Sequence, residues 1–310
     1  MAYVSSIVDL IGHTPLLRLS RIEQAFDLSC TLLGKLERQN PSGSVKDRAA
    51  YSMLLSAAQS GRLAPEGTVV EPTSGNTGVG LAMLGARLGY RVVLTMPDTM
   101  SRERIALLRA YGAVVELTPG EKGMQGAIER AEAIAAETNG VLLNQFENPA
   151  NTLSHRATAD EILTDLAGAP DAFVAGIGTG GTLTGVGSAL KAASDTVRIL
   201  GVEPASSPLL TKGKSGPHGL MGIGANFVPP LLDADAADEI LTVTEAEAYA
   251  FSRALAQTEG ILCGITSGAA LAAAVRYAKH AASPNARIVV LLPDTGERYL
   301  STDLFKGEPV

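Results

Sequence analysis

Short apolar or β-branched runs alternate along this chain with longer segments whose apolar positions recur at helical spacing. The runs fall at Thr31–Leu36, Thr68–Glu71, Arg91–Met96, Val114–Leu117 and Val141–Leu143, then at Ala172–Ile177, Val197–Val202 and Arg287–Leu292. Between them the pattern predicts helices over Thr77–Leu88, Ser101–Tyr111, Gly123–Thr138 and Ser154–Leu166, followed by Thr182–Ala193, Glu245–Glu259 and Ser267–Lys279. Runs that stay apolar at successive positions suit strands covered on both faces, as parallel strands are. Such alternation predicts an α/β protein with mostly parallel sheets flanked by helices.

At 310 residues the chain is long for one core and is expected to form two domains. Asn148-Pro149 interrupts the pattern, so the division is placed between an N-terminal part, residues 1–147, and a C-terminal part, 148–310. Near the start, Gly12 and Thr14-Pro15 read as a turn leading into a short strand. The stretch Pro204 to Pro230, with glycines at 213, 216, 219, 222 and 224, is too long for an ordinary connection and reads as a functional loop or flap.

Composition narrows the function. The chain is 46% hydrophobic and 18% charged, as soluble globular proteins are. A net charge of −7 with no basic stripe argues against nucleic acid or an anionic membrane as partner. No secretory signal and no membrane-length apolar run is visible, which places the protein in the cytoplasm. Cys30 and Cys263 form neither a disulfide framework nor a metal-ligand spacing, and the four histidines are scattered, so no metal site is expected.

Chemistry concentrates in a few polar, glycine-bearing stretches. Asn40-Pro41-Ser42-Gly43-Ser44-Val45-Lys46-Asp47-Arg48 follows one strand and opens a helix running to about Ser60. A lysine in the first turn of a helix opposes the macrodipole, and neutralising it or converting it to an imine relieves that conflict. Three further turns open helices: Thr73-Ser74-Gly75-Asn76-Thr77-Gly78, Gly178-Thr179-Gly180-Gly181-Thr182, and Gly264-Ile265-Thr266-Ser267-Gly268. Each start offers backbone N–H groups to an anion, although N-capping by Ser74, Thr77, Thr182 or Ser267 accounts for any one of them alone. Gly176 to Gly181 also satisfies G-x-G-x-x-G, with Glu203 at the end of the next strand, and so imitates the fingerprint of an NAD-dependent dehydrogenase. Against that alternative, the fingerprint normally starts the first βαβ unit of its domain, whereas further strands precede it here, and the lysine motif and the other two turns stay unexplained.

Taken together, these blocks resemble the cysteine synthases (O-acetylserine sulfhydrylases), in the β-family of pyridoxal-phosphate enzymes of fold type II, whose fold is tryptophan synthase β-like. The resemblance runs from Ile11-Gly12-His13-Thr14-Pro15-Leu16 through the lysine motif and the Thr73–Gly78 turn. It continues through Asn144-Gln145-Phe146-Glu147-Asn148-Pro149-Ala150-Asn151, Gly178–Thr182 and Gly222-Ile223-Gly224-Ala225 to Glu259–Gly268. It implies two α/β domains, the C-terminal one holding the cofactor phosphate. Residues before about 36 would cross to the other domain, and a mobile subdomain would span roughly 92–136 and close over the substrate. Lys46 would form the imine with the aldehyde of pyridoxal 5'-phosphate. Asn76 would bond the cofactor's 3′ oxygen, Gly178, Thr179, Gly180, Gly181 and Thr182 would cradle its phosphate, and Ser267 would face the pyridine nitrogen. Thr73, Ser74, Gly75, Thr77, Gln145 and Gly222 would bind the substrate.

The implied activity is that of a transferase: β-replacement turning O-acetyl-L-serine and sulfide into L-cysteine and acetate through an aminoacrylate, with Lys46 moving the Cα proton. Related folds make cystathionine or dehydrate serine and threonine. The Asn144–Asn151 and Lys122-Gly123-Met124 blocks look more like the sulfhydrylases, and Gly178–Thr182 with Ile223-Gly224-Ala225-Asn226 more like the ordinary sulfide-using type. With the sequence stopping at Val310, no haem-binding extension or regulatory domain is expected, which disfavours a cystathionine synthase of the animal type. The family is usually homodimeric, and its substrate site can also bind the C-terminal tail of serine acetyltransferase. Cys263 as a thiol nucleophile is a separate hypothesis.

Overall fold

A computed structural model describes residues 3–280 and 282–306. In chain order its strands are β1 (Leu16–Arg18), β2 (Thr31–Leu36), β3 (Thr68–Pro72), β4 (Arg91–Pro97), β5 (Val114–Thr118), β6 (Val141–Leu142), β7 (Ala172–Gly176), β8 (Arg198–Pro204), β9 (Glu239–Val243) and β10 (Arg287–Leu292). The helices are α1 (Ser20–Ala25), α2 (Lys46–Gln59), α3 (Asn76–Leu88), α4 (Arg102–Ala110), α5 (Gly123–Thr138), α6 (Pro149–Ser154), α7 (Arg156–Asp165), α8 (Gly181–Ala193), α9 (Leu209–Lys212), α10 (Glu245–Thr258) and α11 (Ile265–His280). Two compact units result: Met1–Ile11 with Asn40–Asn151, and Gly12–Gln39 with Thr152–Val310.

The first unit is built on a four-stranded, fully parallel sheet in the order β5-β4-β3-β6. Val69, Val70, Val92, Val93 and Leu94 are buried on the two faces of β3 and β4, as their unbroken apolar pattern requires. Helix α3 packs close to α2 because a Cβ on Gly80 would already lie 3.2 Å from Ala50 Cβ. It stops at Gly89, which adopts the left-handed conformation (φ 79°) and returns its N–H to Gly85 O.

The second unit carries a six-stranded sheet, order β1-β2-β10-β7-β8-β9, parallel except where β1 runs against β2. The β10 run Ile288–Leu292 is buried between β2 and β7. Helix α11 is buried continuously from Ile265 to Val275. It packs backbone to backbone on α10, since a Cβ on Gly268 would fall 1.9 Å from Ala248 O. Lys35, fully buried on β2, meets Glu161 of α7 at 2.7 Å, the pairing that a buried ammonium demands.

The alternation read from the sequence is the observed architecture, with the short helices α6 and α9 and two further elements added. Strand β9, which no run marked, pairs with β8 at the sheet edge, and α1 follows β1. Among the described residues no helix is long and apolar enough to cross a membrane.

Candidate active site

In the first unit Lys46 is the first residue of the 14-residue α2, where the helix dipole disfavours its charge. The turn before it is fastened by Asp47, a fully buried carboxylate that accepts the Ser42 N–H at 2.6 Å and also the Ser42 hydroxyl. Ser44 Oγ accepts the Lys46 N–H at 3.2 Å. The amine-bearing residue therefore sits on a rigid helix start.

The carboxyl end of β3 runs into Thr73-Ser74-Gly75, and α3 starts at Asn76. Its N-cap is Gly75, and no side chain caps this helix. The same chain caps α10 with a full Thr244/Glu247 capping box and α4 with Ser101. At α3 no side chain takes the capping position, and a helix start of that kind suits an anion. Thr73 Oγ1 accepts the Gly75 N–H at 3.3 Å, and a Cβ on Gly75 would meet nothing within 4 Å, so the turn borders open space. Thr77 donates its hydroxyl to Gln145 Oε1 at 2.6 Å, and Arg104 of α4 donates to Ser74 O at 2.9 Å. Sequence and structure thus bring Thr73, Ser74, Thr77 and Gln145 into one cluster.

Beneath that cluster lies a residue the sequence reading missed. Glu71, 1% exposed on β3, accepts the N–H of Asn144 at 3.0 Å and of Gln145 at 3.1 Å. Burial pushes its carboxyl up from 4.5 to about 7, against the pull of the Gln145, Asn144 and Leu143 N–H groups.

In the second unit the carboxyl end of β7 leads into Gly178–Gly180, and α8 begins at Gly181, again with a glycine N-cap and no side-chain cap. Gly180 has φ 83°, and a Cβ there would meet Leu232 N at 2.7 Å; one on Gly178 would meet Gly222 O at 2.5 Å. Only bare backbone fits, so N–H groups rather than side chains line this turn. Thr179 Oγ1 accepts the Gly181 N–H at 3.3 Å, repeating the Thr73–Gly75 arrangement. His155, fully buried, holds Thr182 Oγ1 with Nε2 at 3.1 Å, a role its scattered position in the sequence concealed.

Ser267 lies in the first turn of α11 with its hydroxyl fully buried and no hydrogen-bond partner among the described residues. An orphaned hydroxyl of this kind is costly unless a ligand atom completes it. The Cys263 thiol is near enough for that hydroxyl to favour its thiolate, but no bond of sound geometry joins them. Burial dominates and pushes the thiol up to about 12, so Cys263 is inert as a nucleophile at neutral pH.

The dinucleotide alternative fails on Glu203. Helix α8 and the strands beside it do form the first βαβ unit of the second unit, so strand order does not dispose of that alternative. Glu203, however, is buried and accepts the N–H groups of Leu210 and Thr211, so its carboxylate holds the following loop and is not offered to a ribose.

A lysine at the start of α2, a turn of bare backbone at the start of α8 and an orphaned hydroxyl in α11 are, each by itself, of the kind that pyridoxal phosphate calls for. The family described as pyridoxal-phosphate dependent enzyme matches residues 7–294. The chain is 50% identical to the probable cysteine synthase of Bacillus subtilis, covering 97% of this chain and 98% of that one. A solved cysteine synthase from Entamoeba histolytica superposes with a TM-score of 0.96 at 41% identity, over 99% of this chain and 92% of that chain. A solved O-ureido-L-serine synthase superposes with a TM-score of 0.94 at 46% identity, over 98% and 96%. The chain belongs to the pyridoxal-phosphate dependent enzyme family, and its fold is that of the type II cysteine synthases.

Proposed function

We propose that this protein makes L-cysteine from O-acetyl-L-serine and sulfide, with acetate as the leaving group. The observation that carries the reading is the uncapped start of α3 with Thr77 and Gln145 fixed to each other beside it. Backbone N–H groups, hydroxyls and an amide can hold an α-carboxylate there without neutralising it.

When bound, pyridoxal phosphate draws negative charge away from the substrate Cα, which lets a β-substituent leave. The chain does the rest. Lys46 would hold the cofactor through its aldehyde, and its free amine would take the substrate Cα proton and later return it. Gly178, Thr179, Gly180, Gly181 and Thr182 would hold the phosphate, with His155 steadying Thr182. Asn76 would hold the cofactor's 3′ oxygen and Ser267 its pyridine nitrogen, where a hydroxyl would leave the ring less cationic than a carboxylate. Thr73, Ser74, Gly75, Thr77 and Gln145 bind the substrate carboxylate, and Gly222, whose carbonyl abuts Gly178, borders the substrate. The segment of about 92–136 closes over the bound amino acid and excludes water. Arg104, reaching from α4 to Ser74 O, links that segment to the substrate turn.

The reading carries with it a homodimer in the cytoplasm and, at the same carboxylate site, docking of a serine acetyltransferase C-terminal tail. The test is a product assay on purified protein with O-acetylserine and, separately, sulfide, thiosulfate, homocysteine and hydroxyurea, beside serine alone. Cysteine formed fastest with sulfide is the expected result. Turnover confined to hydroxyurea would favour O-ureidoserine synthesis, and keto acid from serine alone would make the protein a dehydratase.

A further inference from the structure

Strand β6 pairs with β3 for only two residues, Val69 with Val141 and Val70 with Leu142. Beyond that point β3 keeps β4 but has no partner on the β6 side, and Asn144 turns the chain away in the left-handed conformation (φ 53°). The N–H groups of Asn144 and Gln145 then point into the interior with no strand to receive them. Glu71 receives both, one on each carboxylate oxygen. The Gln145 carbonyl is fastened too, by Asn151 Nδ2 at 2.8 Å.

We propose that Glu71 is a positioning residue for substrate: by clamping two successive N–H groups it aims the Gln145 amide at the amino-acid carboxylate. With Gln145 N–H, carbonyl O and Oε1 held by Glu71, Asn151 and Thr77, the amide NH2 has one orientation left to present. A neutral amide at position 71 offers only one acceptor oxygen and confronts the second N–H with a donor. Burying a carboxyl this deeply is costly, and such expense is concentrated where geometry serves chemistry. This inference rests on the Thr73–Thr77 turn being the carboxylate site.

The experiment is a titration of holoenzyme with O-acetyl-L-serine in the absence of sulfide, followed by cofactor absorbance, on wild type, E71Q, Q145A and the E71Q/Q145A double variant, with kcat and KM measured alongside. E71Q is expected to raise the half-saturating concentration and KM by about tenfold while kcat changes less than about threefold. The double variant should bind no worse than Q145A, because Glu71 acts through Gln145. Half-saturation within about twofold of wild type in E71Q, or losses that multiply in the double variant, would overturn the inference. Where E71Q does not retain cofactor, E71D keeps both oxygens and should show the same split more weakly. Loss of cofactor from both variants also contradicts it, because the residue would then be holding the fold and not aiming an amide. A wild-type protein silent to O-acetylserine would instead sink the proposed function.

Discussion

Thr77 and Gln145 lie 68 positions apart in the chain, yet the threonine hydroxyl reaches the glutamine Oε1 at 2.6 Å. One residue belongs to the first turn of α3 and the other to the bend after β6, so the bond joins the two walls of the candidate carboxylate site. Thr77→Val keeps the shape and removes the donor. It should raise KM for O-acetylserine by about tenfold with kcat within about threefold. Steady-state kinetics check this, and a fall in kcat at unchanged KM would place Thr77 in the chemistry instead.

Glu71 also makes stability depend on pH. Its folded value, about 7, lies above the ordinary 4.5, so between those values the folded protein holds a proton that the unfolded chain has released, and above about 7 both are carboxylates. The contribution to stability is therefore full below about pH 4.5 and is lost as pH rises through about 7, by on the order of 3 kcal/mol. Urea unfolding of wild type and E71Q from pH 5 to 8 isolates the effect. The wild-type advantage over E71Q should shrink from pH 5 to about 7 and level off above it, and a constant difference from pH 5 to 7 would show that Glu71 does not titrate there.

Cys263 offers a test in the opposite sense. Its thiol is buried and pushed up to about 12, so native protein should resist thiol reagents there while unfolded protein reacts. Cys263→Ala should retain kcat/KM within about threefold. Abolished activity in a folded variant would restore the nucleophile hypothesis.

Two glycines separate stability from binding. Gly268→Ala places a methyl 1.9 Å from Ala248 O, a backbone atom that cannot swing aside, and should cost on the order of 3 kcal/mol or prevent folding. Gly75→Ala meets nothing within 4 Å, at a φ of −112° that alanine accepts, so its urea midpoint should stay near wild type. Its methyl enters the open space beside the substrate turn, and O-acetylserine affinity should fall. A stable, fully active G75A would remove that turn from the site.

What could be read without coordinates was local. The starts of α2, α3 and α8 were legible because strand end, glycine turn and helix pattern follow one another within a few residues. Strand β9 was not, since its middle residues are only half-buried at a sheet edge and carry no two-sided apolar run. Glu71 and His155 escaped for another reason. A lone acid at a strand end and a lone histidine have no motif, and their partners Asn144 and Thr182 lie 73 and 27 positions away. The strand order that spoke against a dinucleotide site was weaker than the hydrogen bonds of Glu203, which only coordinates reveal.

The central claim is that the amine at the start of α2 carries the cofactor. Borohydride reduction of the purified yellow protein, digestion and mass spectrometry test it most directly. The account predicts loss of the colour and a phosphopyridoxyl mass on the peptide containing Lys46, with K46A unlabelled. A label on another lysine, or none on a protein that still turns over O-acetylserine, would contradict it.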